Sequence, residues 1–357
     1  MMPSPAIMRR AKEQHDDVLA FTDFVKYAAC IMTARDATQS LGRAEVGHVP
    51  ERVQRVLKAA VVGATTGSAG LTGYGPLVGS FMDSLRNIGA FDRIAGDAMR
   101  LPLHPGRVVI NSSTIIASAG TEGAAKPVKA LSLTPDDITP QKVISQIVLS
   151  KELIDGLGDE GLRALGRELR ASVALGTDTA AMTVLTATNS MESSNSASTF
   201  DSMLGEIEEL AHSVNLSAAS RPYYITTPQI AKGLARAATA SGVTTMGLLG
   251  GELMGTPVLV SDGQGPGKIT LVDATGLAVA DEPIELRSSE NAAIEMDSAP
   301  SHEATTPTAV SMVSMFQTNC RCLLAERNFA IKVIHHNAVA TITGVEWGGG
   351  SDSPAGF

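Results

Sequence analysis

Aromatic residues are scarce in this chain of 357 residues, since Phe, Trp and Tyr together make up only 4% of it. Hydrophobic residues nevertheless reach 44%, because small and aliphatic side chains are abundant. That supply is enough to build a buried core, which excludes global disorder. The length suggests two to three domains, or one elaborated domain.

Basic residues are also in deficit, with 28 Lys and Arg against 37 Asp and Glu and a net charge of −9. A protein that grips nucleic acid needs clustered Lys and Arg to displace counterions from the phosphates. This charge balance therefore argues against a nucleic-acid-binding surface. If the protein works near DNA, it contains or tolerates the DNA rather than binding it tightly.

Cysteines are few, and long apolar runs are absent. Cys320 and Cys322 form a C-x-C pair without the second pair of a four-ligand zinc site, and Cys30 makes the count odd. We therefore expect reduced thiols at half-buried positions. No run approaches the ~18 apolar residues that span a membrane, and the N-terminus lacks the apolar core of a signal peptide. The expected location is a cytoplasm, at least initially, without a membrane partner.

The beginning of the chain is predicted to be a helical arm. Apolar residues repeat at helical spacing from Arg9 to about Thr38, and a second helix follows Pro50. The Gly-, Ser- and Thr-rich stretch 63–70 is typical of a flexible linker. The arm is therefore expected to be set apart from the body.

The body opens with a predicted helix over 77–88 and an extended stretch over 100–116. An alternating run at 128–133 and a strand at 143–149 return from a tip of small residues near 118–123. These segments predict a long hairpin.

The rest of the body is predicted to mix helices and strands. The longest helical pattern runs from about Asp159 to Thr188, and the Ser/Asn-rich stretch 189–199 is interpreted as a loop. Beyond it we predict helices at 200–214 and 228–240, and strands or extended segments at 223–226, 257–261, 269–272, 284–296, 309–316, 323–334 and 339–347.

The stretch 261–269 gives the strongest hint of a binding motif, because Gly267 and Lys268 follow a predicted strand as in a phosphate-binding loop. That motif needs Gly at Asp262 and Ser or Thr at Ile269, and a helix should follow it. A Gly/Pro turn between two strands is the better interpretation.

Other candidates for chemistry are weak. His335 and His336 would point to opposite faces of a strand and cannot easily share a metal ion. The acidic runs 136–137 and 206–209 are interpreted as solvated faces, and no nucleophile-elbow or dinucleotide-binding pattern occurs. We therefore predict a protein that is not an enzyme, with no catalytic, cofactor-binding or metal-binding residue and no cofactor.

A series of short motifs carries a resemblance to a known family. In chain order they are GTEGAAKP at 120–127, VISQIVLSKEL at 143–153, LMGTPVLVSD at 253–262, MFQTN at 315–319, AER at 325–327 and AVATITGV at 338–345. From about Leu71 to Trp347 the chain resembles the major capsid proteins of tailed bacteriophages. Their shell fold is shared with herpesvirus capsid floors and encapsulin nanocompartments.

This resemblance implies an α+β phage major capsid fold with an N-terminal arm, an extended loop, a peripheral domain with a long spine helix, and an axial domain around capsomer centres. The implied divisions are the N-terminal helical arm at 1–76, the first part of the peripheral domain at 77–106, the extended loop hairpin at 107–139, the peripheral domain with its spine helix at 140–199, the axial domain at 200–282, the second part of the peripheral domain at 283–334, the closing strand of the axial domain at 335–347 and a flexible tail at 348–357.

The same resemblance assigns an assembly role to the extended loop. The residues implied to act between subunits are Glu122, Lys126, Pro127 and Lys129.

Some members of the family crosslink neighbouring subunits through a loop lysine, an asparagine and a catalytic glutamate. Lys126 matches the lysine. The asparagine position falls on Thr318, one residue before Asn319, and the glutamate position falls on Ala325. Because no carboxylate stands there to take the proton of the lysine, we predict no isopeptide crosslink.

The implied function is that of a structural subunit of an icosahedral capsid, which forms hexamers and pentamers around double-stranded DNA without sequence-specific binding. Its partners would be further copies of itself and portal, scaffolding and decoration proteins. It would be located in the virion capsid after assembly in the host bacterial cytoplasm. The short arm is expected to be retained, with scaffolding separate or unnecessary. The alternatives are an encapsulin-like nanocompartment shell and, more remotely, a cytoplasmic α/β enzyme with an unrecognised site.

Overall fold

A computed structural model describes residues 88–103, 107–111, 133–156, 159–187, 189–193, 200–242, 245–297 and 311–347, together with a few single positions. The tip of the predicted hairpin, the tail and nearly all of the predicted arm lie outside the described residues. Helices and strands are interspersed along the described segments, and the α+β class is confirmed.

The helices of the described residues are α1 (Ala90–Ile94), α2 (Lys151–Gly156), α3 (Asp159–Thr186), α4 (Phe200–Ser213) and α5 (Pro228–Ala240). The three longest, α3, α4 and α5, agree closely with the sequence patterns, whereas α1 was not predicted. The long helix predicted from Asp159 is confirmed as α3. At the start of α5, Pro228 occupies the first turn and the Thr227 hydroxyl accepts a hydrogen bond from the Ile230 N–H at 3.5 Å.

The strands of the described residues are short, apart from two. They are β1 (Met99–Arg100), β2 (Arg107–Asn111), β3 (Leu133–Asp137), β4 (Gln141–Ser150), β5 (Ser190–Glu192), β6 (Pro222–Thr226), β7 (Met246–Gly247), β8 (Gly250–Leu253), β9 (Thr256–Val260), β10 (Ile269–Asp273), β11 (Leu277–Asp281), β12 (Glu285–Ser289), β13 (Ala293–Glu295), β14 (Met312–Ser314), β15 (Cys320–Val333) and β16 (Val339–Thr343).

The chain divides into two compact units. Unit 1 comprises residues 1–87, 143–173 and 283–327, and unit 2 comprises residues 88–142, 174–282 and 328–357. The helix α3 and the strand β15 each begin in unit 1 and end in unit 2. Each unit is therefore assembled from segments that are distant in the sequence.

Unit 2 contains a seven-stranded sheet in the order β5-β16-β10-β6-β9-β8-β7. β10 runs antiparallel to both β16 and β6, while β16 with β5 and β6 with β9 are parallel pairs. α4 and α5 pack against this sheet in a buried hydrophobic cluster to which Ile207, Leu210, Leu234, Leu271 and Trp347 belong.

Unit 2 also holds β11, which pairs in parallel with β1 and antiparallel with the second half of β15. In unit 1 the first half of β15 pairs antiparallel with β12, and β4 also pairs with β15. A small separate sheet in unit 1 joins β13 to β14.

The prediction of a loop over 189–199 is wrong at the start of that stretch. Ser190–Glu192 form an edge strand parallel to β16, and residues 194–199 lie outside the described residues. The Thr343 hydroxyl donates to the Met191 carbonyl at 3.1 Å, and the Ser193 N–H donates to the Thr343 carbonyl at 2.9 Å. Pairing with a neighbouring strand thus forms a strand within a stretch whose polar composition predicts a loop.

Candidate functional site

The base of the predicted long hairpin is present in unit 2. β2 and β3 pair antiparallel, from Arg107 opposite Asp137 to Asn111 opposite Leu133. The residues between these strands lie outside the described segments. The four loop residues named for assembly, Glu122, Lys126, Pro127 and Lys129, are among them, so their role remains a prediction.

Both ends of the hairpin are anchored in one small hydrophobic cluster. Leu103 precedes β2 and is 6% exposed, while Ile138 follows β3 and is 5% exposed. The two side chains lie in a cluster with residues of β11 and β15 and the residue that follows β15, which are Ala278, Ala280, Ala330 and Ile334. Because the alanine side chains are small, they leave space above the strands in which the larger Leu and Ile side chains can pack.

An ion pair adds a second anchor at the end of β3. The Lys332 ammonium lies 2.7 Å from the Asp136 carboxylate, and the Asp137 N–H donates to the same carboxylate at 2.8 Å. The hydrogen bond from Lys332, followed by that from Asp137, lowers the pKa of Asp136. The sequence predicts a solvated acidic face at 136–137. In the structure Asp136 has a specific partner, Lys332.

Asp178, in the second half of α3, has a buried carboxylate to which several groups donate hydrogen bonds. It accepts hydrogen bonds from the backbone N–H groups of Ala90 and Phe91 at 2.9 Å each and from the Ser261 hydroxyl at 2.5 Å. Burial raises the pKa of Asp178, and the hydrogen bonds from Ser261 and the two backbone donors oppose this rise. One side chain thereby joins α3, the start of α1 and the turn after β9, all within unit 2.

A close approach of backbones makes this junction possible. A Cβ on Gly263 would lie 2.6 Å from the Thr179 nitrogen and 2.7 Å from the Cβ of Asp178. Only glycine fits at this position, which lets the turn after β9 reach α3. No local sequence pattern indicates this contact between the turn and α3.

That turn has the form expected from the sequence. Asp262–Gln264 form a single 3₁₀ turn, and the strand β10 follows at Ile269. The interpretation as a turn between two strands is confirmed. The hydroxyl of Ser261 also accepts from the Gly263 N–H at 3.2 Å, which stabilises the turn.

Asp273 fastens a second turn in unit 2. Its carboxylate accepts from the Ser220 hydroxyl at 2.6 Å, from the Arg221 N–H at 2.9 Å and from the Thr275 hydroxyl at 2.8 Å. Burial opposes ionisation of Asp273, but the hydrogen bonds outweigh burial and lower its pKa. The segment before β6 is thus fixed to the end of β10.

The positions compared with the crosslinking residues of the family lie in unit 1. Asn319 has a left-handed backbone with φ of 52°, and its amide donates to the Glu152 carboxylate at 2.7 Å. The backbone N–H of Glu152 itself, followed by the Asn319 amide, lowers the pKa of that carboxylate. The Thr318 hydroxyl donates to the Ser314 carbonyl at 2.9 Å, and Ala325 is fully buried in β15.

Two of the three cysteines are more buried than predicted. Cys30 and Cys322 are buried, and Cys320 is partly exposed. The Gln146 amide donates to the Cys322 sulfur at 3.1 Å, and burial raises the pKa of that thiol. Within the described segments, no group of three or more His, Cys, Asp or Glu side chains could hold a metal ion. No helix among the described residues is long and apolar enough to cross a membrane.

The polar sites around Asp178 and Asp273 join segments of this α+β protein to one another, and the site around Asp136 lies at the base of the hairpin. No protein-family model matches the chain. A curated relative does: the capsid polyprotein of Pseudomonas phage PAJU2 is 28% identical over 378 residues, which cover 91% of this chain and 54% of the relative. The chain thus spans about half the length of that relative. The resemblance to phage capsid proteins is confirmed by this similarity.

Matches to this chain are also found among solved structures. A chain from Gordonia phage Cozz has a TM-score of 0.48 at 16% identity, covering 79% of this chain and 97% of its own. A chain from Mycobacterium phage Che8 has a TM-score of 0.44 at 13% identity, covering 70% and 90%. The SrpI encapsulin of Synechococcus elongatus has a TM-score of 0.42 at 14% identity, covering 70% and 85%.

Proposed function

We propose that this chain is the structural subunit of an icosahedral phage capsid, which self-assembles into hexamers and pentamers and encloses double-stranded DNA. The observation that carries the proposal is the similarity to a phage capsid polyprotein over 91% of the chain. The polar sites support a structural role because their carboxylates are satisfied by donors of the same chain. Portal, scaffolding and decoration proteins would be further partners, and the virion would be its final location.

The hairpin supports this proposal physically. A closed shell requires that each subunit contact several neighbours through defined surfaces. An extended segment that crosses onto a neighbour buries more area than a compact body can. Such a segment needs a firm base, and the cluster around Leu103 and Ile138 together with the Lys332–Asp136 ion pair provides one. We assign Glu122, Lys126, Pro127 and Lys129 to the part that reaches the neighbour.

Electron microscopy of the expressed chain tests the proposal. We expect closed particles of megadalton mass, and in infected or induced cells the particles should contain nuclease-protected DNA. Particles filled with a specific protein cargo and free of DNA would support the nanocompartment alternative. A chain that remains a small soluble species under all conditions would overturn the shell function.

A deletion tests the assignment of the loop. Removal of residues 117–125 should leave a folded subunit, because the paired strands β2 and β3 at the base of the hairpin remain. We expect that this variant no longer closes shells, while its circular dichroism spectrum matches that of the full chain. Normal particles from the deletion variant would refute the role of the loop.

A further inference from the structure

The strands β2 and β3 at the base of the hairpin do not belong to the larger sheets. Among the described residues they pair only with each other, as a separate two-stranded sheet in unit 2. A strand inside a larger sheet takes its direction from the hydrogen bonds to its neighbours. Within the described segments the hairpin has no such ladder to the rest of the unit, so other contacts set the direction in which it leaves the subunit.

The hydrophobic cluster around Leu103 and Ile138 holds the ends of the hairpin without fixing its direction. Both residues lie outside the two strands, Leu103 before β2 and Ile138 after β3. Hydrophobic contacts are non-directional, and their strength follows the area that is removed from water. We therefore expect this cluster to act as a pivot that allows several angles of the paired strands.

The Lys332–Asp136 ion pair supplies a contact from within the hairpin, because Asp136 is a residue of β3. The two oxygens of its carboxylate have different partners. Oδ1 accepts a hydrogen bond from the Asp137 N–H at 2.8 Å, and Oδ2 lies 2.7 Å from the Lys332 ammonium. The carboxylate is thus tied to the backbone of its own strand, and a restraint on it acts on the strand rather than on a freely rotating side chain.

Lys332 has a fixed place in unit 2. In β15 it lies opposite Ala278 of β11, and residues opposite each other in an antiparallel pair point to the same face. Ala278 belongs to the hydrophobic cluster that forms the pivot. The Lys332 side chain therefore leaves the face on which the pivot lies. The pivot and one further point of contact together define a direction for the hairpin.

We propose that Lys332 and Asp136 are positioning residues, whose ion pair sets the direction in which the hairpin leaves the subunit and thereby aims its far end at a neighbouring copy. This inference rests on the proposed shell function and adds to it the side chains that direct the hairpin. A rotation at the base of an arm is magnified at its far end. The same misdirection would also recur in every copy of a symmetric shell, so a modest effect per subunit becomes a large effect on closure.

Exchange of the two charges tests the proposal. K332D brings two carboxylates together and D136K two ammonium groups, and we expect each single variant to form roughly tenfold fewer closed particles in electron micrographs. The double variant D136K/K332D restores an ion pair of reversed polarity and should recover most of the particles. The melting temperatures should differ little, because the Lys332 and Asp136 side chains are 32% and 40% exposed and such pairs stabilise weakly.

A second ion pair of the chain provides a matched control. Arg287 and Glu285 lie 2.8 Å apart, but both belong to β12, so their ion pair joins a strand to itself. Lys332→Met and Arg287→Met each remove the cation of an accessible pair and change the net charge equally. We expect Lys332→Met to reduce the number of closed particles and Arg287→Met to leave it unchanged.

Pulsed electron paramagnetic resonance measures the direction of the hairpin itself. Nitroxides at Asn111, at the end of β2, and at Lys232, in α5, report one distance within unit 2 of the unassembled full chain with its three cysteines replaced. We expect a narrow distance distribution in this background and in Arg287→Met, a broad one in Lys332→Met, and a narrow one again in D136K/K332D.

Salt gives a further readout of the same distance. Raising NaCl from about 0.1 M to about 1 M should broaden the distribution of the background chain, since salt screens accessible charges, and should leave that of Lys332→Met unchanged. Equally narrow distributions in all variants, or full particle yields from K332D, D136K and Lys332→Met, would overturn this inference while the shell function stands. A wild-type chain that never forms particles would overturn the shell function, and the distances in the single chain would still decide whether the ion pair directs the hairpin.

Discussion

Two aspartates of unit 2 show how the surroundings of one residue type decide its role. Asp178 and Asp273 each accept three or more hydrogen bonds, yet burial raises the pKa of Asp178 and donors lower that of Asp273. Asp178 joins segments through two backbone donors and one hydroxyl, whereas Asp273, which is also buried, fastens a turn through donors of Ser220, Arg221 and Thr275. Both stabilise the fold by satisfying donors that would otherwise remain unpaired.

Loss of the Asp178 carboxylate should be costly. In Asp178→Ala, the N–H groups of Ala90 and Phe91 lose their buried acceptor, and each unpaired donor costs about 1–3 kcal/mol. We expect the free energy of unfolding to fall by about 2–4 kcal/mol in urea titrations. The control Asp155→Ala removes an exposed carboxylate and should change stability by less than about 0.5 kcal/mol. Equal stability of the two variants would contradict this role of Asp178.

The contribution of Asp273 should depend on pH. Because its pKa is lower in the folded than in the unfolded protein, its stabilisation is complete above the ordinary value of 3.8 and is lost as pH falls through the folded value. We therefore expect the stability difference between wild type and Asp273→Asn to stay constant at pH values well above 3.8 and to shrink as the pH falls through 3.8 and below. Asp262→Asn, at an exposed position, serves as the control. A difference that stays constant with pH would count against the linkage.

At the scale of elements, long periodic helices and short strands rich in β-branched residues, such as β6, β9 and β10, were predictable, whereas β5, β7 and β8 were not. The patterns for α3, α4 and α5 carry several apolar residues at helical spacing, and the structure confirms all three helices. β7 and β8 were missed because their six residues include three glycines, which disfavour strands unless a neighbouring strand supplies the pairing. The Asp178 contact was likewise invisible, since no local pattern reveals which distant donors reach a helix.

Two glycines with opposite surroundings provide a test of packing between elements. Gly205 lies on the exposed face of α4 with open space around it, so Gly205→Ala should stabilise the protein by about 0.5–1 kcal/mol. Gly263→Ala would place a methyl group against α3 and should destabilise the protein by about 1–3 kcal/mol. Thermal melts of both variants give the comparison. A stabilised Gly263→Ala would show that the turn after β9 can move away from the helix.

At the scale of the whole molecule, the assembly is predicted to be held without covalent bonds between subunits. Ala325 is buried and carries no carboxylate, and the Asn319 amide is already bound by Glu152 within its own chain. We therefore expect a single band of 37.0 kDa when purified particles are boiled in denaturant and run on a reducing gel. Ladders of higher mass that survive reduction would establish an isopeptide link and refute this expectation.

The position of β16 in the seven-stranded sheet has a consequence for synthesis on the ribosome. β16 lies between β5 and β10, yet it is translated after all the other strands of that sheet. Until residue 343 has emerged, β5 lacks its partner and one side of β10 remains an open edge. At ~5–20 residues per second, the delay between β10 and β16 lasts several seconds. A growing chain therefore offers no finished seven-stranded sheet to its neighbours until β16 has been translated and has paired with β5 and β10.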